Sequence, residues 1–103
     1  MRLDYQLDAE KPRASLGLIV LSVDETIEDD FRCPVPADAT RLHHPRIESD
    51  PNLTPDTIKA MAARLPASSA LLPGGLNVIG YACTSGATVL GEDRVQALVA
   101  KAH

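Results

Sequence analysis

The sequence predicts an α/β domain in three layers, built on a short parallel sheet. Three strand-like segments alternate with three helix-like segments along the 103 residues. Residues 16–23 are apolar at nearly every position, which is typical of a strand buried on both faces of a parallel sheet. Strict alternation of strands and helices implies right-handed crossovers, so we expect helices on both faces of the sheet.

The first half of the chain contributes one buried strand and one weaker strand. Residues 16–23 form the first strand, and residues 24–31 follow as a helix whose acidic start suits the positive end of a helix dipole. Residues 40–44 form the second strand, which we expect Pro45 to end, because proline has no N–H to donate to a ladder. Residues 47–53 are then expected to be a loop.

The second half opens with a clear helix signal. Thr54 is expected to cap a helix that has Pro55 at its first position and Asp56 in its first turn. We expect Pro66 to interrupt this helix. Before that point an apolar stripe recurs at the spacing of one buried helix face, and it consists of Ile58, Met61, Ala62 and Leu65.

A third strand, a polar turn and a broken helix complete the pattern. Residues 76–82 form the strand, residues 83–86 form the turn, and residues 87–102 form a helix that Gly91 breaks. Because the first strand is the most apolar, it should be central, with the second and third strands on either side of it. Ligands of such sheets bind beyond the carboxyl ends of the strands, where the residues after the first and third strands are polar.

Charge and composition exclude several classes of function. The net charge is −4 and the sequence has no basic run, so nothing indicates a nucleic-acid surface. No apolar stretch is long enough to cross a bilayer and no signal peptide is evident, so a cytoplasmic location is expected. The two cysteines, Cys33 and Cys83, are too few for a disulfide scaffold and form no metal-binding pair. We expect residues 1–14 to be a flexible arm and residues 15–103 to be one domain.

A cysteine stands where the third strand ends. Cys83 is followed by Thr84, Ser85 and Gly86, small residues that leave backbone N–H groups accessible at a helix start. Such donors and the helix dipole stabilise a thiolate, and the same groups with the two hydroxyls could bind a carboxylate. The alternative, which composition alone favours, is that Cys83 is a small buried apolar residue.

Several stretches of the sequence resemble one enzyme superfamily. Residues 80–86, Gly-Tyr-Ala-Cys-Thr-Ser-Gly, resemble the first cysteine motif of the maleate isomerase and aspartate/glutamate racemase superfamily, which also contains the arylmalonate decarboxylases and an ectoine-utilisation branch. Residues 17–28 resemble its first strand and following turn. Thr54-Pro55 and residues 91–95 match as well, so the resemblance covers nearly everything from Leu16 to the C-terminus.

The resemblance implies a fold and a chemistry. The superfamily has two flavodoxin-like halves, each with one cysteine, and the active site lies between them. The two cysteines are acid and base in the racemases, the first is the nucleophile in the maleate isomerases, and glycine takes the first position in the decarboxylases. The chain would be the N-terminal half, flavodoxin-like and without the second cysteine. Cys83 then favours isomerase or racemase chemistry over decarboxylation.

The resemblance also assigns roles to residues. Cys83 would be acid, base or nucleophile, Thr84 and Ser85 would hold a substrate carboxylate, and Asp24 would orient the substrate. Asp24 stands where maleate isomerases have an asparagine that contacts a substrate carboxylate, so its charge would repel a dianion. A small carboxylic acid with a cationic or neutral group suits Asp24 better than maleate. The reaction implied by the resemblance uses no cofactor and no metal.

A second interpretation is that the chain is a truncated, non-catalytic fragment or binding module, as the missing half indicates. In either case we expect self-association or pairing with a complementary C-terminal half, because the apolar third strand would be an open edge.

The other polar and aromatic residues are expected to be structural. The acidic cluster of residues 24–30 is expected to be a solvated helix start, and adjacent strand residues His43 and His44 would point to opposite faces and make a poor metal pair. Arg46 is expected at the surface and Tyr81 in the core. Cys33 is expected to be an inert thiol, because it follows several acids near a helix end.

Overall fold

In the computed structural model, residues 13–34 and 38–103 are described, and they form strands that alternate with helices. Residues 1–12 of the predicted arm lie outside the described residues, and the first strand begins at Ala14. In chain order the elements are β1 (Ala14–Leu21), α1 (Ile27–Arg32), β2 (Thr40–His43), β3 (Arg46–Ile47), α2 (Pro55–Ala62), α3 (Leu65–Ser69), β4 (Val78–Tyr81), α4 (Thr84–Leu90) and α5 (Glu92–Ala100).

β1 is the central strand of an open parallel sheet. Its even-numbered residues donate towards β2 and β3, as the Val20 N–H does to the Pro45 carbonyl at 3.0 Å. Its odd-numbered residues accept from the side of β4, as the Ile19 carbonyl does from the Ala82 N–H at 2.9 Å. Because successive backbone groups point to opposite sides of a strand, β4 lies across β1 from β2 and β3. The predicted parallel order of second, first and third strand is confirmed.

The edge strand next to β1 continues further than the sequence indicated. Pairing with β1 pauses at His44 and Pro45 and resumes in β3, where Arg46 lies opposite Val20. Proline removes one N–H from the ladder, but the Pro45 carbonyl still accepts from Val20, and the fully buried side chain of Ile47 anchors the continued segment. The expectations that Pro45 ends the pairing and that residue 47 begins a loop are therefore wrong.

α2 begins as the sequence predicts. The Thr54 hydroxyl accepts from the Thr57 N–H at 3.2 Å, and the Thr57 hydroxyl accepts from the Thr54 N–H at 2.8 Å. This reciprocal pair satisfies two N–H groups that the helix leaves without partners. Pro66 stands in the first turn of the separate helix α3, so the predicted interruption is confirmed. The predicted apolar stripe is buried at all four positions, Ile58, Met61, Ala62 and Leu65.

The C-terminal helices differ from the prediction only at their boundaries. α4 begins at Thr84, directly after the cysteine, rather than at residue 87. Gly91 separates α4 from α5 with a φ of 87°, a conformation that side chains other than glycine rarely adopt. The predicted break at Gly91 is confirmed, and it lets the chain change direction between two short helices.

The core lies between β1 and the helices α2, α3 and α5. Ile19 and Leu21 point into a cluster with residues of these helices and of the loops beside them: Met61, Ala62, Leu65, Leu72 and Leu98. Leu18 and Val20, which point to the opposite face, are buried as well. β1 is thus buried on both faces, which explains its nearly continuous apolar sequence. The architecture is α/β and is compatible with a flavodoxin-like fold.

Within the described residues, no helix combines the length and the apolar character that crossing a bilayer requires.

Candidate functional site

Cys83 lies at the junction of β4 and α4. Its backbone is extended, with φ −147° and ψ 95°, and it is the N-cap residue of α4. The sulfur accepts a hydrogen bond from the Gly86 N–H across 3.2 Å. The side chain therefore does what Ser, Thr or Asp does at most helix starts, with a thiol in place of an oxygen. This hydrogen bond ties the sulfur to the first turn of α4.

Thr84 and Ser85 form the first turn of α4, and both are exposed. The first intrahelical hydrogen bond of the helix runs from the Ala87 N–H to the Cys83 carbonyl at 3.0 Å. The N–H groups of Thr84 and Ser85 precede that bond, so they face the end of the helix rather than its interior. The structure thus places the two predicted carboxylate-binding residues beside Cys83, with their side chains in solvent.

Cys83 itself is only 5% exposed. Cys33, by contrast, is exposed at the C-terminal end of α1, where its N–H donates to the Asp29 carbonyl. The expectation that Cys33 is the inert thiol rested on local charge, but access to reagents depends on burial. Cys33 is therefore the more accessible of the two thiols in the folded chain, and their relative reactivity stays a prediction.

The Tyr81 hydroxyl lies next to the sulfur under the first turn of α4. A Cβ at position 86 would be 3.0 Å from the Cys83 Sγ and 3.0 Å from the Tyr81 Oη, so both atoms press against the same glycine. Among the described residues the Tyr81 hydroxyl has no aligned hydrogen-bond partner, although it is enclosed. Burial chiefly, and the adjacent Cys83 sulfur in second place, raise the pKa of the Tyr81 phenol well above its ordinary value.

Asp24 lies in the loop that follows β1, at the carboxyl edge of the sheet shared by β1 and β4. Its Oδ1 accepts from the N–H groups of Ile27 and Thr26, each at 2.9 Å. These two hydrogen bonds and, more weakly, the charge of Arg46 lower the pKa of the Asp24 carboxyl. Its described contacts fix the start of α1, and they link it to the residues around Arg46 rather than to the cysteine turn.

The hydrogen bonds of the Arg46 side chain were not predicted from the sequence. Its Nη1 donates to the carbonyls of Leu21 at 3.0 Å and Asp24 at 2.8 Å, and its Nη2 donates to the Glu28 carboxylate at 2.6 Å. The side chain is partly exposed, but it joins the edge strand to the β1–α1 loop. The only sequence signal was a basic residue beside a strand and an acidic cluster further back, which does not specify the pairing.

Two open cavities are lined by residues other than Cys83. One, of about 290 Å³, is bordered by Ser49, Asp50 and Arg64, and the other, of about 260 Å³, is bordered by Tyr81, Val95 and Val99. Cys83 borders neither of them, and Tyr81 borders the second. Within the described part of the chain, no three His, Cys, Asp or Glu side chains are placed to hold a metal ion.

Comparison of the chain with protein-family models, with curated proteins and with solved structures gave no match in any of the three. The similarity to the maleate isomerase and aspartate/glutamate racemase superfamily therefore rests on the sequence motifs alone.

Proposed function

We propose that the chain belongs to a cofactor-independent isomerase or racemase that acts on a small carboxylic acid through Cys83. The observation that carries the proposal is the hydrogen bond from the Gly86 N–H to the Cys83 sulfur at the end of a central parallel sheet. Ligands of parallel α/β sheets bind at this edge, and a capped sulfur there is suited to thiolate chemistry.

In this proposal the thiolate of Cys83 removes the proton from the carbon next to the substrate carboxylate and becomes a thiol. Thr84 and Ser85, both exposed in the first turn of α4, hold the carboxylate during this step. Return of a proton to the opposite face completes a racemisation and requires a second acid. By the superfamily resemblance, that acid would be a second cysteine in a complementary half. A small opening movement at the helix start is required as well, because Cys83 is buried.

The test is exchange of hydrogen for deuterium at the substrate carbon. The chain is incubated in heavy water with amino acids and with hydroxy acids, and loss of the proton signal is followed by NMR. The proposal predicts exchange with the unchanged chain and with Cys33→Ser, and no exchange with Cys83→Ser. Equal exchange by Cys83→Ser, or none with any acid when a second copy or a complementary half is supplied, would overturn it.

A second candidate function is that of a non-catalytic module that binds a ligand or a partner. It is favoured by the burial of Cys83 and by the absence of Cys83 from the lining of both described cavities. In this case Cys83→Ser should bind the same small acids as the unchanged chain, because the cysteine only caps α4. Binding of a small acid in titration calorimetry, together with no deuterium exchange on that acid, distinguishes this function from the catalytic one.

A further inference from the structure

The neighbourhood of the Cys83 sulfur contains a hydrogen-bond donor without an acceptor. The Gly86 N–H already donates to Sγ across 3.2 Å. The Tyr81 hydroxyl is enclosed beside the same sulfur, and no described residue accepts its proton. An enclosed hydroxyl with no acceptor destabilises a fold, so its presence beside the sulfur calls for an explanation.

The two side chains share their position for a geometric reason. Tyr81 is the last residue of β4, and the Cys83 N–H donates to the Tyr81 carbonyl at 2.9 Å in a tight turn around Ala82, so the two residues lie close together at the strand end. Gly86 then allows both to approach the helix backbone, because a Cβ there would lie 3.0 Å from the sulfur and 3.0 Å from the hydroxyl oxygen. The sequence Tyr-Ala-Cys-Thr-Ser-Gly thus brings a phenol, a thiol and a backbone N–H together under one helical turn.

We propose that Tyr81 is a positioning residue that holds the Cys83 thiolate through an O–H···S hydrogen bond. A neutral thiol is a weak acceptor, whereas a thiolate is a strong one, so the phenol gains its partner when the sulfur loses its proton. The inference rests on the thiolate chemistry proposed for Cys83. It adds that the sulfur has two donors, one from the backbone and one from a side chain.

The state of the phenol is compatible with this role. Burial keeps the Tyr81 hydroxyl protonated at every pH at which a cysteine thiol ionises, so it donates throughout and does not compete for the negative charge. The second hydrogen bond forms when the Tyr81 and Cys83 side chains adjust, because their present positions are close but do not meet hydrogen-bond geometry.

The experiment measures the pH midpoint at which the Cys83 thiol ionises. Cys33→Ser leaves one thiol, and the Cβ chemical shift of carbon-13-labelled cysteine follows its titration whether or not the sulfur is exposed. In this background Tyr81→Phe keeps the ring and removes the hydroxyl. We expect the midpoint to rise by about one pH unit, a tenfold change in the ionisation constant. Tyr5→Phe, which removes the other tyrosine hydroxyl, should leave the midpoint unchanged.

A second measurement decides the matter if Tyr81→Phe does not fold. Ring-fluorinated tyrosine is a stronger donor, and in a Tyr5→Phe background it occupies position 81 alone. It should lower the midpoint, which a purely structural role of Tyr81 would not do. An unchanged midpoint with folded Tyr81→Phe, or with fluorinated Tyr81, overturns the inference. This failure is separate from failure of the proposed function, because the midpoint is measured without substrate and the deuterium exchange is measured with it.

Discussion

The backbone N–H of Gly86 donates a hydrogen bond to the Cys83 sulfur across 3.2 Å, and this contact ties the end of β4 to the start of α4. Position 86 leaves little room for a side chain, because a Cβ there would lie 3.0 Å from the sulfur and 3.0 Å from the Tyr81 hydroxyl oxygen. The packing of the cysteine turn therefore depends on Gly86 as well as on the cysteine.

Gly86→Ala should destabilise the chain, although alanine is the better helix former by about 1 kcal/mol. A Cβ at position 86 would lie 3.0 Å from two atoms that are themselves enclosed, and overpacking of this kind costs about 1–3 kcal/mol. We expect a net loss of about 1 kcal/mol in the free energy of unfolding. Gly74→Ala is the matched control, since no atom lies within 4 Å of a Cβ there. Chemical denaturation measures both, and a gain in stability for Gly86→Ala would contradict the crowding.

Cys33 should be alkylated before Cys83 in the folded chain. Cys33 is exposed, whereas Cys83 is 5% exposed and its sulfur accepts from a backbone N–H. Brief treatment with iodoacetamide, followed by peptide mapping, gives the two rates. In denaturant the difference should disappear, which serves as the control for chemical bias between the sites. Faster labelling of Cys83 in the folded chain would show that the helix start opens readily.

The contribution of Asp24 to stability should depend on pH. Its carboxyl has a lowered pKa in the folded chain, so the ionised form stabilises the fold above the unfolded pKa and this stabilisation is lost as the pH falls through the folded pKa. Asp24→Asn keeps an oxygen that can accept from Thr26 and Ile27 but lacks the charge. The melting temperatures of the two proteins should therefore differ most near neutral pH and converge in acid. Asp93→Asn changes a carboxylate at an exposed position. The difference in melting temperature between this variant and the unchanged chain should vary less with pH.

Arg46→Lys should destabilise the junction between the edge strand and the β1–α1 loop. Lysine keeps the charge but cannot donate at once to the carbonyls of Leu21 and Asp24 and to the Glu28 carboxylate. Because the arginine side chain is partly exposed, we expect a loss of about 1 kcal/mol. Arg94→Lys, at an exposed position of α5, is the control. Equal stability of the two variants in denaturation would mean that Arg46 contributes only its charge.

Val78 should control self-association. It is 59% exposed on β4, which pairs with β1 on one side and has no other strand beside it among the described residues. Val78→Lys places a charge on this edge and should weaken association without lowering the melting temperature. Val89→Lys changes another exposed valine, on a helix instead of a strand edge, and should leave association unchanged. Sedimentation equilibrium compares the three proteins, and the same effect from both variants would exclude pairing through β4.

Local patterns predicted most of the fold. The apolar first strand, the capping of α2 by Thr54 and the break at Gly91 depend on residues that are near one another in the sequence, so the sequence displays them directly. β3 could not be predicted in this way. The pairing of Arg46 with Val20 depends on the register of two strands. The neighbouring Pro45 indicates instead that strand pairing ends there.

The position of Cys83 between a strand and a helix start was predicted from the sequence, whereas its surroundings were not. A cysteine followed by small polar residues at a strand end indicated a helix start with a sulfur at its cap, and the structure has both. The burial of the sulfur and the position of the Tyr81 hydroxyl depend on how α4 lies over β4. That packing is a three-dimensional property, and no spacing in the sequence encodes it.

The two edge segments β2 and β3 pair with β1 in the same register. Thr40 lies opposite Ala14 and Arg46 lies opposite Val20, each pair 26 positions apart in the sequence, so the pause at Pro45 neither adds nor removes a residue. A one-residue deletion at this pause would bring a different side chain to every later position of the edge, and the charged Arg46 would exchange faces with the buried Ile47. The length of the stretch between His43 and Arg46 is thus fixed even though its residue types need not be, and substitutions should be tolerated there more readily than insertions or deletions.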